Sequence, residues 1–164
     1  MKVEHLALVC WLEKNAPSFS YDELTKTSTI YANDVPESLY DAFKNTALMM
    51  QKVRDLFDAP IIVNSCYRDP TVNAHVGGSK TSQHMRAEAC DYEIKGFDNF
   101  TAAGKIVDSD ISFDQLILEN YTSGVPTSGW LHTSFCVDPK KNRRQVLTAT
   151  RGKNGMVYSA GLHE

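Results

Sequence analysis

The sequence predicts an α+β domain in which N-terminal helices pack on a mainly antiparallel sheet. Apolar residues recur at helical spacing between positions 35 and 60, and the second half of the chain contains short runs with strand-like alternation. Helices therefore come first and the sheet later, which is the arrangement of the α+β class. The length of 164 residues suits one domain with its own core.

Two short helices are predicted near the N-terminus. The first covers residues 4–14 in the stretch MKVEHLALVCWLEKNAP. The second begins after Ser20, because Glu23 stands three residues later at the spacing of a capping box, in which side chains satisfy the first free backbone N–H groups.

The strongest helical pattern is VPESLYDAFKNTALMMQKVRDLFDAP. Pro36 is placed to begin this helix and Pro60 to end it. Its apolar face contains residues at steps of three and four, namely Leu39, Phe43, Ala47, Met50, Val53 and Phe57. The methionines of this face are interpreted as core residues.

Short strands dominate the rest of the chain. The β-branched run Ile61–Val63 predicts a buried strand, and DPTVNAHVGG a short helix that ends at glycine. In EACDYEIKG, alternation places Asp91 and Glu93 on the face opposite Cys90. A helix in NFTAAGKIVDSD precedes the remaining predicted strands, in FDQLILEN, GWLHTSFCV, RRQVLTATRG and MVYSAG.

Composition and charge narrow the possible partners. With 42% hydrophobic residues, 23% charged residues and a net charge of −3, the chain has no general signature of nucleic-acid binding. No apolar run is long enough to cross a membrane, so no membrane partner is expected. The four cysteines contain no C-x-x-C pair, and we interpret them as reduced, mostly buried thiols in a monomeric protein.

Three residues that lie in predicted strands or just before one are candidate metal ligands. His84 precedes one strand, Asp91 lies inside it, and His132 lies in another, so pairing in one sheet could bring all three to one face. Hairpin pairing of FDQLILEN with GWLHTSF would also bring Glu119 near His132. Spacing alone is a weak signal, since a single histidine in a strand is more often structural than a ligand.

Several separated motifs occur in a familiar order: Ser65-Cys66-Tyr67-Arg68-Asp69-Pro70, Asn73, Gly77-Gly78, Ser82-Gln83-His84, Glu88-Ala89-Cys90-Asp91 and Trp130-Leu131-His132-Thr133-Ser134. Together they resemble the signature of the zinc D-Ala-D-Ala carboxypeptidase family, the M15 peptidases. FSYDELTKTSTIYAND and NRRQVLTAT with VYSAGL look like its phage and prophage branch. The resemblance covers about residues 17–162 and leaves residues 1–16 as an N-terminal extension before a peptidase domain of residues 17–164.

The resemblance implies a DD-peptidase fold of the type shared with hedgehog domains, and Zn²⁺ held by His84, Asp91 and His132. It implies that Arg68 grips a substrate carboxylate or carbonyl, a task that suits a bidentate guanidinium. Ser82 and Gln83 would orient ligands or substrate, although a structural turn role for Ser82 is equally open. Trp130 is a further candidate substrate-binding residue.

Three positions depart from the family pattern. The family commonly has an acidic general base three residues before the last ligand, where this chain has Gly129. We take Glu119 as the substitute base, with a structural salt bridge as the even alternative. Ala87 replaces a usual glycine and fits unless its φ is positive. Cys66 replaces another glycine and either packs or crowds its turn.

The resemblance implies a zinc peptidase that cleaves peptides of bacterial peptidoglycan, either as a carboxypeptidase or as a cross-link endopeptidase. The second hypothesis is a non-catalytic, zinc-containing wall-binding or structural module, which Gly129 favours. The third is an α+β domain that binds no metal. No export signal is evident, so we expect residence in the host cytoplasm, with action on the wall after holin-mediated release or as part of a virion. A solvated face is the favoured interpretation of the basic cluster Lys140, Lys141, Arg143 and Arg144, and contact with anionic wall polymers is the alternative.

Overall fold

The computed structural model describes residues 3–164. Its helices are α1 (Val3–Asn15), α2 (Tyr21–Leu24), α3 (Tyr40–Phe57), α4 (Pro70–His75) and α5 (Asn99–Val107). Its strands are β1 (Ile61–Ser65), β2 (Ala89–Ile94), β3 (Gln115–Glu119), β4 (Trp130–Ser134), β5 (Gln145–Gly152) and β6 (Gly155–Ala160). Short 3-10 helices cover Glu37–Leu39, Gln83–Arg86 and Pro139–Lys141.

The long helix α3 supplies much of the core. Phe43, Met50 and Val53 are completely buried, as their helical spacing predicts. The helix stops before Pro60, because Asp58 adopts the left-handed conformation at its C-terminus with φ of 46°. Helix α1 adds Leu8 and Leu12 to the same core.

A six-stranded sheet in the order β1-β2-β4-β3-β5-β6 shares one hydrophobic core with α1, α2, α3 and α5, which form the helical layer on one of its faces. All neighbouring strands are antiparallel except β3 and β5, which run parallel. Cys90, Tyr92 and Leu131 point into the helical layer and are fully buried. The opposite face of the sheet is open, and the predicted α+β class is confirmed.

Strand β1 corrects one prediction. Ile61 and Val63 are buried, but Ile62 between them is 48% exposed. Because β1 lies at the edge of the sheet and only one of its faces meets the helical layer, the apolar run is half-buried rather than fully buried.

The cysteines are free thiols, with Cys66 and Cys90 buried, Cys136 partly covered and Cys10 exposed. Within residues 3–164, no helix combines the length and the apolar character that crossing a membrane requires.

Two members of the late basic cluster bind the domain itself. Arg143 makes a two-pronged ion pair with the buried Asp114, at 2.7 Å for each bond. Arg144 donates hydrogen bonds to the backbone carbonyls of Val107, Ser109 and Ile111. These two arginines therefore attach the segment before β5 to the end of α5 and the start of β3.

Candidate metal centre

The pairing of β2 with β4 brings Asp91 and His132 together. The two residues stand directly opposite each other in the antiparallel register, and both side chains lie on the open face of the sheet. The Nδ1 atom of His132 is 2.8 Å from Oδ1 of Asp91. Both residues are buried, with 8% of His132 and 7% of Asp91 exposed.

The 3-10 helix Gln83–Arg86 brings His84 to the same place. Ser82 accepts a hydrogen bond from the backbone N–H of His84 and so caps this helix. Nδ1 of His84 donates to the carbonyl oxygen of Cys66 at 2.6 Å, which fixes the ring and leaves Nε2 3.2 Å from Oδ1 of Asp91. Two structural contacts thus orient the imidazole toward the sheet.

The three side chains fit a zinc ion. Their ligand atoms all lie within 4.8 Å of one another. Zinc bonds of about 2 Å place the ligand atoms of a tetrahedral site roughly 3.3 Å apart. This is close to the separations of Oδ1 of Asp91 from Nε2 of His84, 3.2 Å, and from Nδ1 of His132, 2.8 Å. Two imidazoles and one carboxylate leave a fourth position open, as catalytic zinc sites do.

The ionisation of these groups also suits a cation. Burial by itself raises the pKa of Asp91, but His84 and His132 outweigh it and hold that pKa well below the usual carboxyl range. Burial lowers the pKa of His84, which keeps Nε2 available as a neutral ligand. For His132, burial lowers the pKa, but the hydrogen bond to Asp91 outweighs it and the net direction is upward.

Arg68 lies beside the metal cluster. Its Nη2 donates to Oδ2 of Asp91 at 2.5 Å and its Nε donates to Ser65 at 2.6 Å. The buried Asn33 shapes the turn before α4, because its amide nitrogen donates to the Tyr67 carbonyl and its oxygen accepts from the backbone N–H of Asp69. Arg68 therefore orients a ligand carboxylate, and its predicted contact with substrate stays a prediction.

The other predicted substrate residues occupy different positions around the cluster. Ser82 has the structural capping role described above and also lines the cleft. Gln83 lines the cleft too, although its amide nitrogen donates to Asp114 at 2.9 Å. The indole of Trp130 reaches the cleft, and its Nε1 is buried without a hydrogen-bond partner in residues 3–164.

The structure explains the glycine at position 129. Gly129 has a φ of +66°, and a Cβ atom there would lie 2.1 Å from the carbonyl oxygen of Glu119. The backbone therefore leaves no room for the acidic residue that the sequence resemblance led us to expect at this position.

Glu119 ends β3 directly opposite Trp130, two cross-strand pairs along the ladder from the pairing of Ile117 with His132 and therefore on the same face of the sheet. Burial raises the pKa of Glu119, and the negative charge of Asp91 raises it further. Within residues 3–164, Glu119 forms no salt bridge, so the structural alternative for this residue is not observed.

Ala87 and Cys66 differ in how they fit. Ala87 has a φ of 55°, so the position does require the left-handed conformation that a glycine would adopt more easily. Cys66 is 1% exposed and packs in the core without disturbing the carbonyl that holds His84.

A cleft of about 400 Å³ lies over the metal cluster. Its walls include Arg68, Glu119 and Trp130, together with Met156 and Tyr158 from β6. Sequence reasoning missed the two β6 residues, although strand alternation in MVYSAG already puts them on one face. A larger cavity of about 490 Å³ lies near Glu4 and Tyr40, but the metal-ligand cluster is not part of it.

A family model described as Peptidase M15 matches residues 17–123, about two thirds of the chain. The matched segment contains Arg68, His84, Asp91 and Glu119, and it ends before Trp130 and His132. No curated protein gives a significant match to the chain.

Proposed function

Because the chain belongs to the M15 peptidase family, we propose that it is a zinc-dependent enzyme that cleaves peptide bonds in bacterial peptidoglycan. The observation that supports this most strongly is the His84, Asp91 and His132 cluster at the bottom of a cleft beside Glu119. A cluster of this composition, open on one side, is the arrangement of hydrolytic zinc sites.

The metal and the protein have separate tasks in this proposal. When bound by His84, Asp91 and His132, zinc would lower the pKa of a water molecule and polarise the scissile carbonyl. Arg68 and the Cys66 carbonyl hold Asp91 and His84 in position through the hydrogen bonds already described. The sheet fixes His132, because its strand pairs on both sides.

Glu119 is the group that moves the proton. Its carboxylate takes a proton from the attacking water and passes it to the amine that leaves when the C–N bond breaks. The raised pKa of Glu119 suits this task, because it makes the carboxylate a stronger base toward the attacking water, and a group whose pKa lies nearer to the working pH can both accept and release a proton. Arg68, if a substrate oxygen approaches it, has further N–H groups beyond those bonded to Ser65 and Asp91.

Zinc analysis combined with hydrolysis of purified peptidoglycan tests the proposal. Wild type should bind about one equivalent of zinc and release soluble peptides. His132→Ala should lose both properties, and Glu119→Gln should keep the zinc but lose at least about a hundredfold in rate. His75→Ala is the matched control, because this exposed histidine lies outside the cluster and its loss should change neither property.

The outcomes separate the candidate functions. Zinc binding without peptide release from peptidoglycan of several cross-link types would indicate the non-catalytic module. Absence of zinc in well-folded wild type would contradict the metal site. Mass spectrometry of the released peptides identifies the bond and distinguishes a carboxypeptidase from an endopeptidase.

We also propose that the protein is of the phage type, as an endolysin or a virion component. The support is the similarity of its first and last segments to that branch of the family. Expression together with a holin tests the endolysin assignment, since lysis should then require both the holin and Glu119.

A further inference from the structure

The C-terminal hairpin of β5 and β6 forms one wall of the metal cleft. Met156 and Tyr158 line this cleft, whereas Val157 between them is 59% exposed on the other face of the strand. These residues lie beyond the segment that matches the M15 family. The hairpin therefore adds side chains to the cleft that the family assignment does not account for.

Strand register places Tyr158 in line with the proposed base. Trp130 pairs with Glu119, Glu119 with Ala149, and Ala149 with Tyr158, so the four residues form one row across β4, β3, β5 and β6. Residues in such a row share a face of the sheet. Ala149, which lies between Glu119 and Tyr158 in this row, has the smallest side chain of the four and is fully buried.

Several hydrogen-bond donors of the cleft already have partners within the protein. The amide nitrogen of Gln83 is bonded to Asp114, and two nitrogens of Arg68 are bonded to Ser65 and Asp91. Burial raises the pKa of Tyr158, and the charges of Glu119 and Asp91 raise it further, so its hydroxyl stays protonated. Tyr158 lines the cleft and is 55% exposed, so a bound ligand can reach its side chain.

From this row and this cleft we propose that Tyr158 is a substrate-binding residue whose hydroxyl donates a hydrogen bond to the bound peptide beside Glu119. The inference rests on the proposed function, because it takes peptidoglycan peptides as the ligand. A peptide is rich in carbonyl acceptors, and a phenol offers both a donor and an apolar ring for the adjoining side chain.

Binding and turnover of muropeptides test this role. The probes are soluble muropeptides from a muramidase digest. Their binding is measured by calorimetry with zinc-loaded Glu119→Gln protein, and their hydrolysis is measured with the parent protein, in which Glu119 is intact. Adding Tyr158→Phe to either protein should reduce affinity or kcat/KM about fivefold to tenfold, the effect of one lost hydrogen bond. Tyr158→Ala should reduce them further, because the ring is also lost.

Val157→Ala is the matched control, since it truncates the neighbouring residue on the opposite face of the same strand. It should leave binding and turnover within twofold of the parent, and thermal unfolding should show that all variants are folded. If Tyr158→Phe matches the parent in both measurements, the proposed hydrogen bond is refuted, whatever Tyr158→Ala does. If the parent neither binds nor cleaves any muropeptide, the proposed function fails and this inference fails with it.

Discussion

Replacement of Gly129 by alanine should destabilise the protein strongly. The new Cβ atom would lie 2.1 Å from the carbonyl oxygen of Glu119 and 2.7 Å from the backbone of Asn120 and Tyr121. All three contacts are with backbone atoms, so rotation of a side chain cannot relieve them. The φ of +66° adds about 1–2 kcal/mol for any residue with a Cβ.

Together these terms should lower the free energy of unfolding by about 3–5 kcal/mol, in the upper range for single substitutions. For a chain of this length, that corresponds to a fall of roughly 10 °C in Tm. Gly124 provides the control in the same loop, because its φ is +77° but a Cβ there meets nothing within 4 Å. Gly124→Ala should therefore cost only the conformational term of about 1–2 kcal/mol.

Both alanine variants should be unfolded thermally and in urea in the presence of a chelator, so that zinc binding does not mask the difference. Equal losses for Gly129→Ala and Gly124→Ala would refute the steric argument. Gly129→Glu supplies a second test of the steric argument. It introduces the acidic residue that the family resemblance predicts at position 129, where the backbone leaves no room for a side chain. A Gly129→Glu protein as stable as wild type and faster in hydrolysis would show that the reasoning about Glu119 is wrong.

Three other predictions concern stability. Asp58→Gly should raise the free energy of unfolding by about 0.5–1 kcal/mol in urea titrations, because Asp58 is exposed in the left-handed conformation and its ion pair with Arg54 is long, at 3.6 Å. Asp114→Asn should destabilise the protein at neutral pH by about 2 kcal/mol, and this loss should shrink in acid. The bond from Arg143 lowers the pKa of Asp114 in the folded state, so its stabilisation is present above the ordinary carboxyl pKa and disappears as the pH falls through the lowered value. Removal of zinc by a chelator should lower the Tm of wild type. If free zinc was at a hundred times its Kd, the lost stabilisation is about 2.7 kcal/mol. The Tm of His132→Ala, which lacks a ligand, should not change.

The site could be predicted from sequence wherever local periodicity decides the geometry. Alternation in β2, β3 and β4 puts Asp91, Glu119 and His132 on one face once the strands are paired. The ion pair of Arg68 with Asp91 could not be predicted, since it joins a turn to a strand through a contact fixed only in the folded chain. The parallel pairing of β3 with β5 was also not predicted, because β4 separates them in sequence and their alternation is the same in either direction.

Ala87 and Gly129, the two departures from the family pattern at positions with positive φ, have opposite effects on the fit of the residue to the backbone. At position 87 the fold requires a left-handed residue and the chain supplies a poor one, which costs stability but changes no group in the cleft. At position 129 the chain supplies a glycine, and the turn closes so tightly on the carbonyl of Glu119 that no side chain fits. The backbone approached in this way is the end of β3, where Glu119 is, among residues 3–164, the only carboxylate besides Asp91 that lines the cleft. A side chain at position 129 therefore does not fit this turn, and the proposal that Glu119 acts as the base needs no acidic residue there.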